Sequence, residues 1–309
     1  MKIALPDLIS NSYFPAAAAV ELGFCREEGL DITLELIFPV DKAYAALASG
    51  EIDFVAGSAH SALAAFPEWK GVRLLCAQAQ GMYWFLVVHA DRAPERGKLD
   101  VLKGARIGAA PWVEMGLRQL LSAAGYDLVR DKINIAPVPG AIGTTVNFGL
   151  TAAKALEEGK IDAFWANGMG AEVAVRRGVG KIVLDIRRGD GPSGCFNYTM
   201  ASVAAAETLI ARKPEKVAAM VRSVMRAQAA LKADVSLATK VGKKLFPAYE
   251  AGLIADIVKR DLGYYDPTIS REFVDGMNKF ARNIGILRSS ASYEQVVDPA
   301  VVPLWQGHI

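Results

Sequence analysis

Ala46-Leu47-Ala48-Ser49-Gly50-Glu51-Ile52-Asp53-Phe54 returns 109 residues later (155 − 46) as Ala155-Leu156-Glu157-Glu158-Gly159-Lys160-Ile161-Asp162-Ala163. Each copy reads as the end of a helix, a glycine and the start of a short strand. Glycine suits the position just past a helix because the left-handed backbone conformation needed there is strained for residues with a Cβ. The match extends upstream: Lys2-Ile3-Ala4 is echoed by Arg106-Ile107-Gly108, an offset of 104 (106 − 2), and Gly23-Phe24 and Gly125-Tyr126 each close the helix that follows. One helix–glycine–strand plan written twice predicts two structurally similar α/β lobes. Asp53 and Asp162, the acidic residues common to both copies, are expected to serve structure in each lobe.

Between these landmarks short β-rich runs alternate with helical patterns. A strand at residues 3–5 precedes a helix over Tyr13 to Leu22, and Leu30 to Phe38 alternates apolar and polar positions as a second strand. Asp41 is expected to cap a helix ending at Ser49, and Ser58 to start another after a strand at 52–56. Such alternation implies parallel sheets with helices on both faces. After residue 200 the texture changes to helices: Pro214 to Leu231, Ser236 to Leu245, Ala251 to Leu262 and Ser270 to Ile284. The stripe Val217, Met220, Val221, Val224, Met225 has helical spacing and reads as core. This C-terminal section is expected to pack back onto an existing sheet.

Composition narrows the function. The chain has 309 residues, roughly two domains at ~150 residues each, and 52% are hydrophobic. Net charge is 35 − 33 = +2, so no electrostatic footprint points to nucleic acid. The longest run without Asp, Glu, Lys or Arg, Ile133 to Ala153, contains Asn134, Pro137, Pro139, Gly140, Gly143 and Asn147 and is no membrane-spanning helix. Cys25, Cys76 and Cys195 fit neither a disulfide framework nor metal-ligand spacing, and His60, His89 and His308 have no ligand spacing either. No metal, cofactor or catalytic constellation is expected. Met1 to Pro6 reads directly as a strand with no leader features, which leads to the expectation of a cytoplasmic protein or of a chain written from its mature start.

Five segments, in order, resemble a known family. Gly23-Phe24-Cys25-Arg26-Glu27-Glu28-Gly29-Leu30-Asp31-Ile32 is similar to the "GFF-x-EEGLDV" segment of ABC-transporter substrate-binding proteins of the sulfonate, nitrate and thiamine-precursor group. Leu102-Lys103-Gly104-Ala105-Arg106-Ile107-Gly108 resembles their "DLKGKRIGV", both repeat copies resemble their "ALxxGxID", and Ala211-Arg212-Lys213-Pro214-Glu215 resembles their "KKHPE". The resemblance implies an α/β, two-lobed type II periplasmic-binding-protein fold, each lobe a mixed, mostly parallel sheet flanked by helices, with two crossover strands. Lobe 1 would be residues 1–86 plus 198–309 and lobe 2 residues 87–197. It further implies a monomeric solute-binding protein that traps a small ligand between the lobes, docks on an ABC permease and works in the periplasm.

In open α/β sheets ligands sit outside the carboxyl ends of the strands, where helix N-termini offer N–H groups. That rule selects Asn11, Ser12, Tyr13 and Phe14 after the first strand, Lys42 after the second, and Ser58 and His60 after the third. In the second lobe it selects Trp112, Trp165 and Asn167, and the crossings add Tyr83, Asn197 and Tyr198. The set is aromatic and amide-rich but poor in Arg. That character predicts a neutral or monoanionic organic ligand (sulfonate-, carboxylate- or pyrimidine-like) whose ring or alkyl body stacks on Trp112 or Trp165. The alternative is a cytoplasmic enzyme on the same fold, thiamine-pyrimidine-synthase-like or desulfinase-like. Against it, the loop where such a desulfinase would carry its nucleophilic Cys holds Asn11-Ser12-Tyr13, and the Cys-rich cluster of the synthases is absent.

Overall fold

The computed structural model describes residues 1–141 and 147–306; Gly143 and His308, named above, lie outside them. The chain divides into two compact units, 1–81 with 199–309, and 82–198. The first unit opens with β1 (Lys2–Leu5), α1 (Phe14–Glu21), α2 (Phe24–Glu27), β2 (Thr33–Leu36), α3 (Val40–Ser49), β3 (Phe54–Ser58) and β4 (Val72–Ala79). The second holds β5 (Phe85–His89), β6 (Arg106–Ala109), α4 (Val113–Ala123), β7 (Asn134–Ala136), α5 (Phe148–Glu157), β8 (Ala163–Ala166), α6 (Gly168–Arg176) and β9 (Gly180–Asp185). Back in the first unit come β10 (Ala201–Ala206), α7 (Glu207–Arg212), α8 (Pro214–Ala233), α9 (Ser236–Leu245), α10 (Ala248–Asp261), α11 (Arg271–Asn283), α12 (Tyr293–Val296) and α13 (Val302–Gln306).

Each unit is built on a five-stranded sheet, ordered β2-β1-β3-β10-β4 in the first and β7-β6-β8-β5-β9 in the second. Within each, one strand beside a passage between the units runs antiparallel to its neighbours, β10 in the first and β5 in the second, while β1, β2 and β3, and likewise β6, β7 and β8, pair in parallel. The Met and Val stripe of α8 is buried, as its spacing predicts, and α8 packs against α1 and β4. Gln228 of α8, also buried, donates to the carbonyls of Ala77 (3.1 Å) and Gln78 (2.9 Å). The C-terminal helices therefore complete the first unit.

The repeated segment does the same mechanical job twice. Past α3, Gly50 sits at φ +77° and Glu51 N–H reaches back to the Ala46 carbonyl at 3.0 Å; past α5, Gly159 sits at φ +67° and Lys160 N–H reaches Ala155 at 2.9 Å. The aspartate that follows then holds the first residue of the adjacent parallel strand, β1 in the first unit and β6 in the second. Asp53 N–H donates to the Lys2 carbonyl (3.0 Å) while its carboxylate accepts from Lys2 N–H (2.7 Å). Asp162 repeats both bonds with Arg106, at 2.9 and 2.8 Å, and adds the guanidinium groups of Arg106 (3.0 Å) and Arg92 (2.6 Å). Hydrogen bonding from Arg106 holds the Asp162 carboxyl below the usual carboxylate range. Because its folded value lies below the unfolded value near 3.9, its contribution is whole at neutral pH and is lost as the pH falls from about 4 through the folded value. Asp162→Ala is expected to lower stability by about 1 kcal/mol at pH 7, the modest size reflecting its partly exposed arginine partners. Urea denaturation at pH 7 and at pH 3 checks this; an equal loss at both would contradict it.

Two local expectations need correction. α3 begins at Val40 with Pro39 in the cap position at φ −68°, ψ 169° and no side-chain cap bond, so Asp41 lies in the first turn instead of capping it. Proline already has the extended conformation a cap requires and lacks the N–H that would need a partner. Ser58 is still paired in β3, opposite Ala201, and the segment after it is a 3-10 turn over Ala59–Ala64 that its hydroxyl does not cap. That hydroxyl instead bonds Ser61 Oγ at 2.6 Å.

Candidate functional site

Register decides which side chains share an edge. In the first unit Ala201 pairs with both Ser58 and Ala79, so the carboxyl ends of β3 and β4 and the residues leading into β10 are level with one another. His60 and Thr199 meet there, His60 Nδ1 lying 2.9 Å from Thr199 Oγ1. The imidazole is fully buried and stands edge-on to Phe280 at 5.4 Å.

The loop after β1 joins the same edge. Ser10, Asn11, Ser12 and Tyr13 are all buried. Gln78 of β4 ties the loop's helix down: its Oε1 accepts from Ala16 N–H of α1 (3.2 Å) and its Nε2 donates to the Ser202 carbonyl (3.2 Å). Asn11 Nδ2 donates to the Asp261 carboxylate, and Tyr265 Oη–H donates to the Asn11 carbonyl. Asp261 and Tyr265 are themselves fully buried. Phe14 is turned into the core, its ring against Phe246 at 6.1 Å. Lys42 is exposed on α3.

In the second unit Phe85 pairs with Ala166 on one side and Asp185 on the other, and Ala109 pairs with Trp165. One edge therefore collects the residues before β5 and those after β6, β8 and β9. Tyr83 and Trp84 lie with ring centroids 4.8 Å apart, and Trp84 is 6.2 Å from Trp165. Gly116 of α4 gives the Trp84 ring its room: a Cβ there would lie 3.2 Å from Trp84 Cζ3 and 2.9 Å from Met82 Sδ. Trp165 is fully buried within β8, and its Nε1–H donates to the Val113 carbonyl at 3.2 Å, fixing the first turn of α4. Asn167 caps α6, its Oδ1 accepting from Met169 (3.1 Å) and Gly170 (3.3 Å). Asn197 and Tyr198 lie in the 3-10 turn Cys195–Tyr198; burial, with the neighbouring Cys195, pushes the Tyr198 hydroxyl up.

Trp112 is half-buried at the start of α4 with φ +69°, ψ −35°. A bulky residue at positive φ is strained, and such strain gathers where function holds it.

One arginine outside the expected set lies beside these residues. Arg187, 4% exposed, follows β9 and lies over the Tyr83 ring at 5.6 Å. The rule that selects loops after strands reaches it only once Gly180–Asp185 is recognised as a strand, for which the apolar run Ile182-Val183-Leu184 is the signal. Asp261 and Tyr265 carry no local signal at all, being 250 and 254 residues from Asn11.

Burial pushes the Cys25 and Cys195 thiols up to about 11 and Cys76 higher still. Among the described residues no group of three His, Cys, Asp or Glu side chains is placed to hold a metal ion. Among the same residues no helix is long and apolar enough to cross a membrane.

Residues 11–235 match the family model described as NMT1/THI5 like. No curated protein matches the chain in sequence. Among solved structures, the alkanesulfonate-binding protein SsuA from Xanthomonas axonopodis pv. citri, bound to MOPS, is 16% identical with a TM-score of 0.70 over 97% of this chain and 96% of that one. The periplasmic nitrate-binding protein NrtA from Synechocystis PCC 6803 is 14% identical with a TM-score of 0.70, over 100% and 88%. A mutant of the desulfurization enzyme DszB, in complex with biphenyl-2-sulfinic acid, is 14% identical with a TM-score of 0.68, over 100% and 99%. At such identities the likeness is one of fold, and the fold is that of the type II periplasmic binding proteins.

Proposed function

The chain belongs to the NMT1/THI5-like family, and on that premise we propose that it is the solute-binding component of an ABC importer. In this reading it takes a small organic ligand carrying one negative charge, delivers it to a membrane permease, works as a monomer in the periplasm and performs no chemistry on its cargo. The observation that carries the reading is the edge of the second sheet. Two aromatic rings in tilted contact, Tyr83 and Trp84, a half-buried strained tryptophan and one buried guanidinium suit an apolar or ring-bearing body with a single sulfonate or carboxylate. Asn11, Ser12, Tyr13, Ser58 and His60 are the polar candidates within the first unit; within the second, Trp165 acts through the turn of α4 that it holds. In the second unit Asn167, Asn197 and Tyr198 are the further candidates.

A cysteine-dependent enzyme is the weaker reading, because thiols held protonated near neutral pH are poor nucleophiles. Thermal-shift screening with MOPS, alkyl and aryl sulfonates, aryl carboxylates and nitrate tests the proposal, alongside mass spectrometry of whatever co-purifies. Stabilisation by organic monoanions is expected; a response to inorganic oxyanions alone would sink it.

Trp112 offers a second check. Trp112→Gly relieves about 1–3 kcal/mol of backbone strain, which offsets the packing that removal of a half-exposed ring gives up. Thermal stability is therefore expected to stay nearly level while affinity for an aryl sulfonate falls by about tenfold or more. Unchanged affinity by calorimetry would remove Trp112 from the site.

A further inference from the structure

Asn11 has one end of its amide committed and the other unmet. Its Nδ2 donates to the Asp261 carboxylate, and its backbone carbonyl accepts from Tyr265, so both backbone and side chain are held. Its Oδ1 is buried, and no donor among the described residues reaches it. The residue as a whole is 1% exposed. An amide can be turned end for end, but a carboxylate only accepts. Asp261, whose carboxylate also lies 3.6 Å from the Arg260 guanidinium, therefore dictates that the NH2 end faces it. The carbonyl end is left without that partner, in the loop between β1 and α1.

A buried acceptor without a donor is rare enough in folded proteins to require an explanation. Resting on the solute-binding reading above, we infer that Asn11 Oδ1 receives an N–H group of the ligand, and that Asp261 is the positioning residue that sets this polarity. The cargo is then a monoanionic organic molecule that also bears an amino or amide N–H, and close analogues with a methyl group in that place are discriminated against. A site built to meet a donor rejects the isostere lacking it, because the acceptor is then left buried and unpaired.

The test is calorimetric titration with two isosteric pairs of monoanions: 4-aminobenzenesulfonate against 4-methylbenzenesulfonate, and 3-aminobenzenesulfonate against 3-methylbenzenesulfonate. The wild-type protein is expected to favour the amino member of at least one pair by about tenfold or more, a comparison that needs no variant. In Asp261→Asn the partner can donate as well as accept, so the Asn11 amide loses its imposed orientation. The preference should shrink toward equality while affinity for the methyl member is retained; a merely structural role would weaken both members together. Asn11→Leu, which deletes the acceptor, should abolish the preference. Equal binding of both members by the wild type, or a preference that survives in folded Asp261→Asn and Asn11→Leu, overturns the inference and leaves the solute-binding reading standing. Failure of all four probes to bind overturns that reading and the inference with it.

Discussion

Gly170→Ala is expected to lower the melting temperature of the second unit by about 10 °C, corresponding to roughly 3 kcal/mol. A Cβ on Gly170 would lie 2.7 Å from both Gly149 Cα and Gly149 O, and 2.8 Å from Gly149 C. All three obstacles are backbone, so no rotamer change relieves them. α5 and α6 would have to separate, yet α5 also packs on β8 and α6 on β9 and β5. Alanine's better helix propensity, about 1 kcal/mol over glycine, is too small to compensate. The neighbouring Gly149→Ala supplies the contrast. Its Cβ would meet Asn167 Oδ1 and Gly170 Cα at 3.2 Å, a few tenths of an ångström of adjustment, and its expected loss is below about 1 kcal/mol. Scanning calorimetry of the two variants separates the cases; an unshifted Gly170→Ala would mean that the helices are not held as closely as described.

Arg187→Met is the other large effect, read on affinity. The guanidinium is buried beside Tyr83, and truncating one partner of a desolvated charge pair weakens association by about 2–5 kcal/mol. Affinity for a monoanionic sulfonate should fall by about a hundredfold or more. Arg187→Lys should not restore binding, because an ammonium cannot reproduce a planar guanidinium lying over an aromatic ring. Sulfonate titrations showing wild-type affinity in Arg187→Met would take Arg187 out of the site.

The parts of this fold that were legible in the sequence are those governed by local grammar. The glycine after α3 and the one after α5 announce helix ends, and the aspartate that follows each could be read as structural because it occurs in both copies. The Val and Met stripe of α8 revealed its buried face through spacing alone. Where two local signals compete, reading failed: Pro39 took the cap that Asp41 was expected to fill, and pairing with β10 held Ser58 in its strand. The candidate site was legible only as a set of loop positions. Which edge-mates those loops acquire depends on register, such as Phe85 opposite both Ala166 and Asp185, and no local pattern encodes that. Arg187 was hidden behind an unrecognised strand. Asp261 was hidden by distance along the chain, since its meaning comes wholly from the asparagine it orients.

The strand order carries one more consequence, for the timing of assembly. β10 lies between β3 and β4, yet it is translated after the whole of residues 82–198. At ~5–20 residues per second, those 117 residues (198 − 82 + 1) take roughly 6 to 23 s to emerge. Throughout that interval β3 and β4 have no strand to join them. The second unit has the opposite schedule: β5, flanked by β8 and β9, is its first strand to be made. The inserted unit can therefore close its sheet while the nascent chain is still growing, and the host unit, with Asn11 and its partners, matures last.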